Sequence, residues 1–229
     1  MRLKGFTLAE VLIAISIIGV VAAVTLPALD VNSRTREYET AFAKASRDLV
    51  NVNQIIMSER SMDNLRAACG ISGNNAATVN NTYLSCISNV YGLVPGINPA
   101  VTYTNLPAGE SGAIAANNAN YYSLRNGNFS FWPRNTDATS KYGLMQLFVD
   151  LNGPSKGPNR LANDLHILLI DRTGGVYGYG SEMVSMFSST GDKYSHRSAL
   201  YCNANSITAA KACSGSITDN GGRILYKLP

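Results

Sequence analysis

Lys4-Gly5-Phe6-Thr7-Leu8-Ala9-Glu10, running straight into the apolar stretch Val11–Leu29, decides how this 229-residue chain is read. Ahead of Gly5 stand only Met1, Arg2, Leu3 and Lys4, a short basic leader. Phe6–Leu29 carries one charge, Glu10, in 24 residues. At about 1.5 Å rise per residue such a run makes a helix of roughly 36 Å, enough to cross a bilayer core with some tilt. A carboxylate near the cytoplasmic end of that helix is costly in a membrane and marks function.

The basic leader ending in Gly5, then Phe6, then Glu10 as the fifth residue after it, resembles the N-terminus of a type IV prepilin or a type II secretion pseudopilin. Gly19 and Pro27 fall where such proteins often carry a helix-loosening pair. The resemblance covers Met1–Leu29 closely and the helix continuing from it more loosely. It implies cleavage after Gly5 by a prepilin peptidase and N-methylation of Phe6. It also implies pairing of Glu10 with the N-terminal amine of a neighbouring pilin or pseudopilin subunit, which helps set filament register.

The chemistry of that processing can be followed from the residues. Arg2 and Lys4 hold the Gly5–Phe6 bond at the cytoplasmic face by the positive-inside bias. A cut there removes both cations and creates an ammonium on Phe6, four residues from Glu10 and on the same helix face. A carboxylate buried in lipid or in a helix bundle needs such a positive partner. Two plainer readings compete. A secretory signal peptide would use Ala22–Ala23 as its small-residue cleavage region, but its basic region is tiny, its start is interrupted by Glu10, and its apolar run is too long. A simple single-span anchor fits the composition and leaves Glu10 without a reason.

The length suits one membrane segment plus one globular domain. Nineteen basic and 15 acidic residues give a formal charge of +4. Without Arg2 and Lys4 the balance is only +2, too mild to indicate nucleic acid. The four cysteines, Cys69, Cys86, Cys202 and Cys213, contain no Cys-x-x-Cys pair and no zinc spacing. All follow the membrane segment, so an oxidising compartment is expected. Three pairings are possible; Cys69–Cys86 and Cys202–Cys213 are favoured because each closes a local loop, worth about 3 kcal/mol in the chain-entropy model. The later pair resembles the C-terminal disulfide loop of many type IV pilins.

Beyond the apolar run, Tyr38, Phe42, Ala45, Leu49, Val52 and Ile56 recur at spacings of three and four, one stripe of an amphipathic helix. Continuous helix from Phe6 to about Arg60 is expected, loosened locally at Gly19 and Pro27. The stripe is read as packing on the protein's own sheet rather than as a parallel coiled coil, because strands follow that need a cover. From Asn74 to Asn135 thirteen asparagines and three charges indicate loops with short strands or a short helix. Its aromatics Tyr121, Tyr122, Phe129, Phe131 and Trp132 read as core or subunit-contact residues. Leu144–Leu151, Leu165–Ile170 and Val176–Tyr179 read as strands, the last two joined as a hairpin through Asp171-Arg172-Thr173-Gly174-Gly175. Arg223–Leu228 is expected as a final strand. The fold class is therefore α+β: a long N-terminal helix on a C-terminal antiparallel sheet, which is also the pilin-like architecture the resemblance implies. Boundaries are set at 1–5 for the leader, 6–29 for the transmembrane and assembly helix, 30–62 for its amphipathic continuation and 63–229 for the globular head.

Catalytic chemistry finds little footing. His166 and His196 are far apart and belong to no metalloprotease motif, and there is no Gly-x-Ser-x-Gly elbow or P-loop. His166 at a strand start reads as structural. Asp150-Leu151-Asn152-Gly153 with Asn159 and Asp164 offers oxygens of the kind calcium takes, and some pseudopilins bind calcium near the sheet. The set lacks the acidic alternation of an EF-hand, and Gly153-Pro154 and Gly157-Pro158 look like turn punctuation, so no metal and no cofactor are assigned. The expected protein is not an enzyme. It is a structural subunit of a type IV pilus or type II secretion pseudopilus, inserted once in the inner membrane and then polymerised into an extracellular or periplasmic filament. The alternative is a minor pilin displaying a surface for adhesion or DNA uptake, for which salt-dependent DNA binding by the soluble part would speak.

Overall fold

The structure, a computed structural model, describes residues 6–72, 76–97, 103–104, 120–125, 129–133, 143–179, 181, 202–203 and 213–224. Gly5, the rest of the leader, His196 and residues 225–228 of the expected last strand lie outside the described residues. The chain divides into two compact units, Met1–Glu37 and Tyr38–Pro229.

One helix, α1, runs over Leu8–Glu59. Its backbone is helical through Gly19 and Pro27, so the expected loosening does not interrupt it. Val, Leu, Ile and Ala dominate its first half, which is helical although none of Leu8–Thr25 is buried. From Tyr38 onward its stripe is buried: Ala45, Leu49 and Ile56 have no accessible surface, and Tyr38, Phe42 and Val52 almost none. A short turn of helix, α2 (Leu65–Ala68), is capped by Asn64, whose Oδ1 accepts the N–H groups of Arg66 at 2.9 Å and Ala67 at 3.3 Å. Helix α3 covers Ala76–Val90. It is a fuller helix than the asparagine-rich composition suggested, because Val79, Tyr83, Cys86 and Ile87 recur at helical spacing and all face the core.

The sheet is antiparallel, with six strands in chain order: β1 (Leu93–Ile97), β2 (Asn120–Leu124), β3 (Ser130–Pro133), β4 (Gly143–Asp150), β5 (Leu165–Asp171) and β6 (Val176–Gly178). Together with the long helix it makes the α+β arrangement expected. In register Phe131 pairs with Val149, Phe148 with Ile167 and Leu147 with Leu168. Strand alternation sends neighbouring residues to opposite faces. Phe131, Met145, Leu147, Val149, Leu168 and Ile170 join the main core with the α1 stripe and α3. Trp132, Phe148, Leu165 and Ile167 form a second cluster on the other face with Tyr103, Leu161, Ala162 and Cys213. The sheet is thus covered on both sides, which is why β4 and β5 are apolar on both faces.

One expectation changes. Arg223 and Ile224 are not in a strand; the last described element is helix α4 (Cys213–Asp219). Ile224 is instead buried in the main core, its N–H donating to Glu39 Oε1 of α1 at 2.8 Å. α4 packs so closely on β6 that a Cβ on Gly178 would overlap the carbonyl of Ser214. Gly178 therefore serves close approach of the helix.

Candidate assembly site at the N-terminus

Helix α1 opens with a reciprocal cap. The Thr7 N–H donates to Glu10 Oε2 at 2.8 Å, the Thr7 hydroxyl donates to the same oxygen at 2.8 Å, and the Glu10 N–H returns a bond to Thr7 Oγ1 at 3.3 Å. The first intrahelical bond, Val11 N–H to Thr7 O at 3.2 Å, follows at once. A helix leaves its first N–H groups unpaired, and Thr-x-x-Glu satisfies two of them. The carboxylate also lies where the helix dipole is positive. Sequence reasoning picked out Glu10 and missed Thr7, although the Thr7-x-x-Glu10 spacing announces the box.

Around this cap the helix is bare. Phe6 is 88% exposed, and Leu8, Leu12, Ile15, Ile18 and Val24 are each more than half exposed. Leu8–Thr25 has a mean hydropathy of 2.5 with none of it buried, a helix long and apolar enough to cross a membrane. Its two hydroxyls are turned inward to its own backbone, Ser16 Oγ to Leu12 O at 2.8 Å and Thr25 Oγ1 to Val21 O at 3.0 Å. Apart from the capped Glu10, these side chains present hydrocarbon, which suits lipid or a bundle of like helices.

The remaining candidates fall elsewhere. Cys69–Cys86 and Cys202–Cys213 are disulfides, with Cα–Cα distances of 5.5 and 4.6 Å. The first joins α2 to α3, and the second ties the segment at Cys202 to the start of α4. His166 is wholly buried at the start of β5, edge-on to Phe42 at 5.2 Å. Its Nε2 lies 3.1 Å from the Asn163 carbonyl, which only an N–H satisfies, so Nδ1 accepts from the Ser214 hydroxyl at 3.2 Å. Burial holds this imidazole neutral, its pKa down at about 4. Ser214 is equally inaccessible, and its Oγ also accepts the Ile167 N–H at 3.0 Å, so the pair braces the fold and reaches no substrate. The Asp150 and Asp164 carboxylates accept backbone N–H groups, while the Asn152 and Asn159 side-chain oxygens are buried without a hydrogen-bond partner among the described residues. Among the described residues no three His, Cys, Asp or Glu side chains gather together. The expected aromatic group is core rather than a stacking platform: Phe129 and Phe131 lie in the main cluster, and Trp132 packs on Phe148 at 5.9 Å.

Comparison with known proteins agrees with this placement. Residues 1–26 match the prokaryotic N-terminal methylation motif. The chain is similar to the fimbrial protein EcpC of Eikenella corrodens, with 31% identity over 140 residues, covering 61% of this chain and 86% of that protein. No solved structure matches. With the motif at its N-terminus, a fimbrial relative matched over most of its length and an apolar helix ahead of an antiparallel sheet, this chain belongs to the type IV pilin and pseudopilin family, a family of structural, non-enzymatic proteins.

Proposed function

We propose that this chain is a filament subunit of a type IV pilus or type II secretion pseudopilus. It inserts in the inner membrane, is cut between Gly5 and Phe6 by a prepilin peptidase, is methylated on the new Phe6 amine, and polymerises through α1. The reading is carried by one observation: an uncovered apolar helix, Leu8–Thr25, whose one carboxylate is Glu10. Burying a Val, Leu or Ile side chain contributes about 1.5–3 kcal/mol, so ten or so left bare favour lipid first and neighbouring subunits afterwards. Glu10 then exchanges its Thr7 partners, or adds to them, by pairing with the Phe6 ammonium of an adjacent subunit, since a carboxylate inside a bundle of helices requires a cation. Segments 1–5, 6–29, 30–62 and 63–229 act in this scheme as leader, assembly helix, connecting helix and displayed head.

Intact mass and N-terminal sequencing of the protein from its native membrane or surface fibres test this reading. A chain starting at methylated Phe6 is expected. A start near Val24 would make it a secreted protein, and retention of Met1 would leave a plain anchor; either removes the role given to Glu10.

A further inference from the structure

On the sheet face turned away from α1, two carboxylates are buried in one loop. Asp150, at the end of β4, and Asp164, just before β5, have no accessible surface. Asp150 Oδ1 accepts the N–H groups of Asn152 at 3.2 Å and Gly153 at 2.8 Å, and its Oδ2 accepts the Tyr103 hydroxyl at 2.8 Å. Asp164 accepts the N–H groups of Asn159 and Arg160, each at 2.8 Å. The Leu151 N–H donates to Asp164 O at 2.8 Å, drawing the two ends of the loop together.

No cation answers these two acids among the described residues. Arg160 reaches Asp164 through its backbone, Lys156 is exposed, and His166 is neutral and faces Phe42 on the other side of the sheet. The other titratable neighbour, Tyr121, lies by Tyr103 and adds only negative charge when ionised. Residues Tyr103 and Thr104 are strapped over this loop. Thr104 N–H donates to Asn159 O at 2.9 Å, Leu161 N–H donates to Thr104 O at 3.2 Å, and the Tyr103 ring packs on Trp132 at 5.4 Å.

We propose that Tyr103, Asp150 and Asp164 form a proton-operated latch that clamps the 103–104 segment to the back of the sheet, closed while the acid pair holds a proton and weakened when both acids are charged. Two like charges buried together repel and have lost their water, so one of them keeps its proton well above the usual carboxylate range. Burial, with a smaller push from Asp164, raises Asp150 to about 7, while the Tyr103 hydroxyl pulls the other way. Burial likewise raises Asp164. The sign follows from linkage. Asp150 exposed by opening has an ordinary value of 3.8, so opening releases a proton between that value and about 7. The open population rises with pH across this window and levels above it.

Hydrogen exchange at the Thr104 and Leu161 amides of the full chain in detergent tests the latch, corrected for intrinsic exchange and followed from acid to mildly alkaline pH. Protection is expected to fall by up to about tenfold per pH unit toward neutrality and then level. Asp150→Asn should make the slope shallower, leaving only what Asp164 contributes, and Tyr103→Phe should lower protection at every pH. A wild-type slope of zero, an undiminished slope in Asp150→Asn, or a Tyr103→Phe profile equal to wild type would each overturn the proposal. So would recovery of protection at alkaline pH on adding millimolar calcium, which would make the acid pair a cation site.

Discussion

Glu10 meets two demands with one side chain. In the single chain it caps α1 through Thr7; in the proposed filament it answers a neighbour's ammonium. The two roles separate by mutation. Thr7→Ala removes the cap but leaves the charge, costing about 1 kcal/mol in the first turn, so processing and assembly should both persist at reduced filament yield. Glu10→Leu keeps the helix apolar and removes the charge, so the leader should still be lost by mass while filaments recovered by shearing drop severalfold. Abundant Glu10→Leu filaments would remove Glu10 from assembly. His166 and Asp150 make a second residue-scale pair. His166, depressed to about 4, contributes stability above its ordinary 6.5 that is lost as pH falls toward 4. Asp150, raised to about 7, contributes stability below 3.8 that is lost as pH rises toward 7. The two oppose each other between about 4 and 6.5. Asp150→Asn should therefore leave a head that melts lower as it is acidified, and His166→Gln one that melts lower as pH rises. Thermal melts of both variants across that window check this, and slopes of the same sign would refute it.

At the scale of elements, a buried polar hub fixes how α1, α3 and the β5–β6 turn meet. Asn53 has no accessible surface; its Nδ2 donates to Gly174 O at 3.0 Å and its Oδ1 accepts from the Tyr83 hydroxyl at 2.7 Å. Gly174 sits at φ +83, and a Cβ there would come within 3.0 Å of the Asn53 Cβ, so the turn approaches α1 only because it is glycine. Tyr83→Phe leaves Asn53 Oδ1 buried without a donor and should cost about 1–3 kcal/mol in chemical denaturation. The Cys69–Cys86 disulfide clips the same α3 to α2. Replacing both cysteines by alanine, with Cys202–Cys213 left intact, should cost about 3 kcal/mol, measured as a lower melting temperature. Unchanged melting in that double variant would show that packing alone holds α3.

For the whole molecule, the division at Glu37 and Tyr38 separates two kinds of stability. The unit from Tyr38 onward carries its own cores and both disulfides. In the unit before it, Leu8–Thr25 is an apolar helix with none of that span buried. Contiguous apolar surface of that size drives association in water. A chain lacking residues 1–37 should be soluble and monodisperse without detergent, while the full chain should require it. Light scattering of the two compares them directly, and a truncated chain that still aggregates would place the association surface on the head.

What the sequence determined by itself is local or periodic. The charge-poor run with Glu10, the α1 stripe, the apolar β4 and β5 and the β5–β6 turn all follow from composition and spacing, because each depends on residues within a few positions of one another. What tertiary structure decided depends on residues far apart. Ile224 is committed to the α1 core by Glu39, 185 positions away. Gly178 is small because α4 lies on it. Tyr103 meets Asp150 because the strap at 103–104 runs across the loop after β4. Burial also turned an ordinary carboxylate and an ordinary imidazole into groups of shifted acidity, since removing water disfavours charge and no linear pattern records how much water a side chain will lose.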